Sequence, residues 1–139
     1  MLDYKNTIAD IKGYKENLYA QLHTNLDKAS AKILEEARDN APIDIGTMRE
    51  DSGHYTKEED NNLISYIGFM KFYAVYVHQG TGLFALHGDG RQTPWWWKGT
   101  TEKWKGWHYT HGQTPKQFLW DSLTGHIEIL PILLAEGLE

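Results

Sequence analysis

The chain has 139 residues, a net charge of −5 and no cysteine. Such a length fits one domain, taken as residues 1–139, able to bury roughly two-thirds of its unfolded surface and hold a core without staples. The lack of cysteine excludes disulfides and thiolate metal sites and fits a reducing compartment, and the acidic balance argues against generic nucleic-acid binding, which needs clustered lysines and arginines.

The opening Met1-Leu2-Asp3-Tyr4-Lys5 has no apolar run behind it, so no signal peptide is expected. Residues 3–40 read as a helix, with Ile8, Ile11, Leu18, Leu22, Leu26, Ala29, Ile33 and Ala37 on one stripe. Unbroken, it would run about 55 Å. Gly13 is a weak point, and Ala41-Pro42 stops the helix, because the residue before proline is pushed out of helical geometry. So long a stripe implies a partner along its whole length, from the same domain or a neighbouring subunit.

Residues 42–46 read as a turn, and residues 47–57 as extended but weakly patterned. Residues 63–69 form the clearest strand, with Leu63, Ser65, Ile67 and Phe69 alternating against Ile64 and Tyr66. The acidic Glu58-Glu59-Asp60-Asn61-Asn62 between them predicts the tip of an antiparallel hairpin. In residues 72–78 Phe72, Val75, Tyr76 and Gln79 suit a short helix, the favoured reading, while the β-branched valines suit a strand; the glycine-rich residues 80–91 are read as a mobile loop.

Six tryptophans, eight tyrosines and four phenylalanines are a heavy aromatic load, of the kind that fills a core or anchors an interface. Trp95-Trp96-Trp97-Lys98 and the run from Lys103 to Tyr109 flank Gly99-Thr100-Thr101-Glu102, which predicts a hairpin with a four-residue connection. In the simplest register Trp97 lies opposite Trp104, with Trp95 diagonal on the same face. Thr114-Pro115-Lys116-Gln117 reads as a capping box opening the last helix. Phe118, Leu119, Ser122, Leu123, His126, Ile127 and Leu130 then share a face, and Gly125 and Pro131 predict a kink or two shorter helices. The longest apolar stretch, residues 129–135, is broken by Pro131 and far too short to span a bilayer.

No catalytic constellation emerges. His87, His108 and His111 invite a metal reading, but a zinc site needs three or four ligands, and a His-x-x-His pair on a strand points its members to opposite faces. Trp96, Lys98, Lys103, Lys105 and Trp107 resemble a base-stacking surface, which mutual packing within the hairpin explains as well. Gly80-Thr81-Gly82 and Gly88-Asp89-Gly90 lack the context of a phosphate cradle. Neither a tuned acid–base pair nor a nucleophile elbow is visible. No enzymatic activity, metal, cofactor, specific nucleic-acid binding or membrane partner is expected.

The order of three motifs resembles the gene-product-ten-like tail-completion or head–tail joining (neck) proteins of long-tailed bacteriophages. Ala41-Pro42-Ile43-Asp44-Ile45-Gly46-Thr47-Met48-Arg49 resembles the family's Ala-Pro-x-Asp-Thr-Gly-x-Leu-Arg element. Tyr73-Ala74-Val75-Tyr76-Val77-His78-Gln79-Gly80-Thr81-Gly82 is similar to its Tyr-Ala-x-Tyr-Val-Glu-x-Gly-Thr-Gly element. Gly90-Arg91-Gln92-Thr93-Pro94-Trp95, the tryptophan hairpin and the run through Pro115, Phe118 and Leu119 resemble its closing segment. The sequence departs from the family at Ile45, His78, Gln117 and Trp120-Asp121.

The resemblance implies an α+β fold, with a long N-terminal helix and a C-terminal helix against a small antiparallel sheet. It further implies a structural phage or prophage virion protein, assembled in the bacterial host cytoplasm and placed at the head–tail junction or tail. Such a protein would form a homo-oligomeric ring and contact other neck, connector or tail-tube proteins. Expected folding residues are Ile33, Leu63, Ile67, Phe69, Tyr76 and Phe118; expected contact residues are Gly80, Thr81, Gly82 and Arg91 in the loop and Trp95, Trp96, Trp97, Trp104 and Trp107 in the ribbon. The competing reading is a carbohydrate-binding module that uses the tryptophan ribbon as its platform.

Overall fold

The computed structural model describes residues 4–43 and 46–138. Asp44 and Ile45, within the first motif, lie outside that range. In chain order the elements are α1 (Tyr4–Asn40), α2 (Gly46–Glu50), β1 (Ser52–Glu59), β2 (Asn62–Phe69), α3 (Ala74–Gln79), β3 (Trp95–Gly99), β4 (Gly106–Thr110), α4 (Phe118–His126) and α5 (Leu130–Ala135). The architecture is α+β. Two separate antiparallel hairpins, β1–β2 and β3–β4, accompany the helices, and α1 packs against β1, β2, α4 and α5.

Only the second half of α1 is covered. Ala29, Ile33, Leu34 and Ala37 are buried, whereas Ile8 and Ile11 of the same stripe stand in solvent. The buried face also takes in two polar residues that periodicity passed over. Asn25 donates from Nδ2 to the carbonyls of Leu134 (2.9 Å) and Glu136 (2.7 Å), satisfying the end of α5. Ser30 bonds to Ser65 Oγ at 2.6 Å across to β2, and Thr56 reaches both Ser65 (3.2 Å) and Asp27 (3.2 Å). His54 Nδ1 approaches Asp27 Oδ1 at 3.3 Å, an electrostatic contact without the alignment of a hydrogen bond.

β1 and β2 pair from Ser52↔Phe69 to Glu59↔Asn62. The two-residue turn has Asp60 and Asn61 at φ 48° and 64°, the left-handed pair a tight hairpin requires and short polar side chains tolerate. Alternation places Leu63, Ser65, Ile67 and Phe69 toward the body, and on the opposite face Tyr55 stacks on Tyr66 with centroids 5.0 Å apart.

The tightest core is where the end of α1 meets α2, α3 and α4: Ala41, Met48, Ala74, Val77 and Phe118, ringed by Phe69, Tyr73 and Leu119. Three expectations are corrected there. Residues 47–57 are not extended throughout, since α2 precedes β1 and buries Met48 completely. Arg49 folds this helix back by bonding to the carbonyls of Asp39 (3.1 Å) and Ala41, which terminate α1. The capping box at Thr114 does not form. Lys116 N–H instead donates to Val77 O at 3.0 Å and Phe118 N–H to Lys116 O at 2.8 Å, so the segment stays out of the helix until α4 begins at Phe118. Tyr76 is exposed, not part of the core: on α3 the buried residues are Ala74 and Val77.

Candidate interaction surface

The glycine segment after α3 is built against the segment after β4. Thr81 N–H donates to Gln113 O (2.9 Å), Gln113 N–H returns to Thr81 O (3.3 Å) and Thr81 Oγ1 (2.9 Å), and Leu83 N–H donates to His111 O (3.0 Å). The backbones cross so closely that a Cβ on Gly82 (φ +63°) would lie 2.0 Å from His111 O, and one on Gly112 (φ +125°) 2.0 Å from Thr81 O. Only glycine permits both the angle and the approach. The first half of the expected open loop is thus hydrogen-bonded structure, continued by a 3-10 turn at Gly82–Phe84. It joins two sequence motifs into one unit.

That unit carries the β3–β4 ribbon. Its register corrects the expected one: Trp97 pairs with His108, not Trp104, because the connection runs through a second 3-10 turn at Glu102–Trp104. Trp104 folds back onto the same face, 6.2 Å from Trp97, while the His108 ring stacks on Trp97 at 4.6 Å. His108 also places Nε2 2.9 Å from Trp104 O, which fixes the turn.

The two faces of the ribbon differ. Trp95, Trp97, Trp104 and Thr110 line an open cleft of about 710 Å³, closed on the body side by Pro42, Thr81, Gly112 and Lys116. On the other face Trp96 lies 5.2 Å from Tyr109, and Lys98 Nζ 6.0 Å from the Trp107 ring. Trp96, Trp107 and Tyr109 are all exposed. Gly80, Thr81, Gly82, Arg91 and Trp95 meet in a smaller hollow of about 290 Å³ beside Tyr76, where the Arg91 guanidinium lies 5.5 Å from the Trp95 ring. The nine anticipated contact residues therefore form one neighbourhood of three surfaces. Pro42, Lys116 and Tyr109 were missed as contact residues, and the alternation of β4 would have found Tyr109 had the turn length been known.

α3 adds an apolar strip. Val75 and Tyr76 of this helix are exposed, as is Phe72 in the turn before it. Behind them His78 packs edge-on against Phe118 at 5.2 Å, and its Nε2 accepts the Trp120 N–H at 3.3 Å. Burial lowers the His78 pKa from its ordinary 6.5, with Asp121 opposing in part. Because the folded chain takes up this proton less readily than the unfolded chain, the contribution is intact above pH 6.5 and is lost as pH falls below it. His78→Gln, which can still accept from Trp120, is expected to lose less melting temperature than wild type between about pH 7 and about pH 5. Thermal denaturation across that range checks it; equal losses would place the acid sensitivity elsewhere.

Among the described residues no group of three or more His, Asp or Glu could hold a metal ion, and no helix is long and apolar enough to cross a membrane. Compared with protein-family models, with curated proteins and with solved structures, the chain finds no match in any of the three.

Proposed function

We propose that the chain is a structural subunit of a tailed-bacteriophage or prophage particle, completing the tail or joining it to the head through ring-forming protein–protein contacts. It acts at the head–tail junction or in the tail, without catalysis, on its own copies and on neck, connector or tail-tube proteins. The observation that carries this reading is the aromatic surface left in solvent: Trp96, Trp107 and Tyr109 on the ribbon, Val75 and Tyr76 on α3, and Phe72 in the turn before it. Large aromatic side chains left exposed in this number support a contact role, since a protein acting alone gains nothing from them and risks aggregation. The joining of the Gly80–Gly82 and Gly112–Gln113 motifs by backbone hydrogen bonds adds support, because the residues that carry the phage resemblance then act as one mount for the ribbon.

Particles made without this protein should be unjoined heads and tails, or tails that lack their terminus, by electron microscopy. Normal infectious particles would sink the reading. Trp104→Ala should stay folded, since the Trp97–His108 stack remains, yet enter particles poorly.

One observation favours a second reading. Three indoles beside threonine and lysine side chains in an open cleft could stack on a sugar ring and bond to its hydroxyls. Titration of soluble cell-wall oligosaccharides against tryptophan emission tests it, and an unchanged spectrum removes it.

A further inference from the structure

The net charge of −5 is unevenly spread. Residues 95–116 carry Lys98, Lys103, Lys105 and Lys116 against Glu102 alone. All four lysines are exposed. Lys98, Lys105 and Lys116 form no ion pair among the described residues, whereas Lys57 and Lys71 elsewhere are held by Glu59 and Asp51. An acidic chain thus carries a local basic patch, and it coincides with the ribbon.

The strand register pairs Trp96 with Tyr109 and Lys98 with Trp107. Alternation along each strand puts these four side chains on one face. Mutual packing accounts for the opposite face, where Trp97 meets Trp104 and His108. It leaves this one open: Trp96, Trp107 and Tyr109 are exposed by 63%, 66% and 54%. The Trp96–Tyr109 pair and Trp107, with Lys98 Nζ 6.0 Å from its ring, form two stations. They stand two residues apart along the strands, roughly 7 Å, within the stretch of one extended nucleotide.

The composition of the ribbon selects among occupants. Residues 95–116 contain no Ala, Val, Ile, Leu, Met or Phe, so their apolar surface is flat rings and one proline. An apolar peptide or a lipid tail calls for aliphatic partners, and lysine is scarce at protein interfaces. A neutral sugar leaves the lysines uncompensated. Exposed rings interleaved with free cations match a polymer that alternates planar rings with negative charges.

We propose that the Trp96–Trp107–Tyr109 face binds single-stranded nucleic acid without regard to sequence. Bases stack on the indoles and the phenol, and Lys98, with Lys105 in the adjoining turn, holds phosphates. Duplex is a poor ligand, because its base faces are already covered by their neighbours. This goes beyond the reading of the chain as a virion subunit, and leaves the cleft on the opposite face of the ribbon to other contacts.

The test titrates the full chain into a fluorescein-labelled oligothymidylate of about 15 nucleotides, long enough for one such site. Anisotropy should rise and indole emission fall together, with affinity dropping steeply between about 50 and about 200 mM salt. At fixed salt Trp107→Ala should weaken binding roughly 5- to 100-fold, the share of one stacked base. Trp107→Phe, which keeps a ring, should recover most of that loss. Lys98→Gln should flatten the salt dependence by about one phosphate contact. It also carries the test should Trp107→Ala lose its wild-type far-ultraviolet dichroism. Duplex DNA, polyglutamate and polygalacturonate should each displace the probe far less well than unlabelled single strand.

No binding at the lower salt overturns the proposal. So does binding that Trp107→Ala and Lys98→Gln both leave unchanged. Polyglutamate that competes as well as single strand gives the face to an acidic protein, and polygalacturonate that does so gives it to an anionic sugar; either result equally overturns it.

Discussion

Gly82→Ala is expected to destabilise the protein by about 2–5 kcal/mol. Two effects add. Gly82 sits at φ +63°, where a side chain strains the backbone, and its Cβ would lie 2.0 Å from His111 O and 2.8 Å from Gly112 Cα. The obstacles are backbone atoms held by the Thr81–Gln113 and Leu83–His111 hydrogen bonds, so relief requires breaking that bridge. Gly88→Ala separates the two effects. Gly88 has a similar φ of +68° with nothing within 4 Å of a new Cβ, so about 1 kcal/mol of conformational strain is the whole expected cost. Urea denaturation followed by dichroism, a probe independent of the ribbon's indoles, measures both. Equal losses at the two glycines would mean that the crossing contributes no rigidity and that the ribbon lacks a fixed mount.

Phe118→Ala should cost about 3–5 kcal/mol, the range for emptying a phenylalanine site in a core that cannot collapse. Phe118 is buried at 3% exposure, with Phe69 against its ring at 4.9 Å and His78 at 5.2 Å, both edge-on. It joins β2, α3 and α4 at one point, so the cavity is shared by three elements and no single one can move in to fill it. A marginal total stability of about 5–15 kcal/mol leaves little after such a loss. Phe118→Leu, which keeps most of the volume, should recover more than half of it. A loss below about 1 kcal/mol for the alanine variant would show that this junction is not the centre of the fold. The ribbon lies on the far side of the Lys116–Val77 hydrogen bond, so indole emission should change later in the denaturation than dichroism if the ribbon holds its own shape.

The periodic elements were legible in the sequence because their signals are local. Residues 3–40 announced a helix, Leu63, Ile67 and Phe69 a strand, and Gly125 with Pro131 the break between α4 and α5, since each depends on backbone geometry within a few residues. The tryptophan hairpin was equally legible as a hairpin. Its register was not: the 3-10 turn at Glu102–Trp104 moves Trp104 out of the strand and puts His108 opposite Trp97. A change of turn length shifts every pair, and here the turn is held by the Trp104 N–H bond to Thr101 O and the contact of His108 with Trp104 O.

Tertiary structure alone decided the rest. It overrode the capping box at Thr114, because a hydrogen bond from Lys116 to Val77, distant in sequence, keeps that segment out of the helix. Arg49 turns residues 46–50 back as a helix by bonding the terminal carbonyls of α1, and a weak extended propensity cannot resist such a contact. It also exposed the first two residues, Ile8 and Ile11, of an apolar stripe that looked uniform, since amphipathic spacing states which side of a helix wants cover and not whether the chain supplies it. Composition had already limited the candidate surface to glycine and indole; only the crossing of Gly82 with Gly112 fixed where those indoles stand.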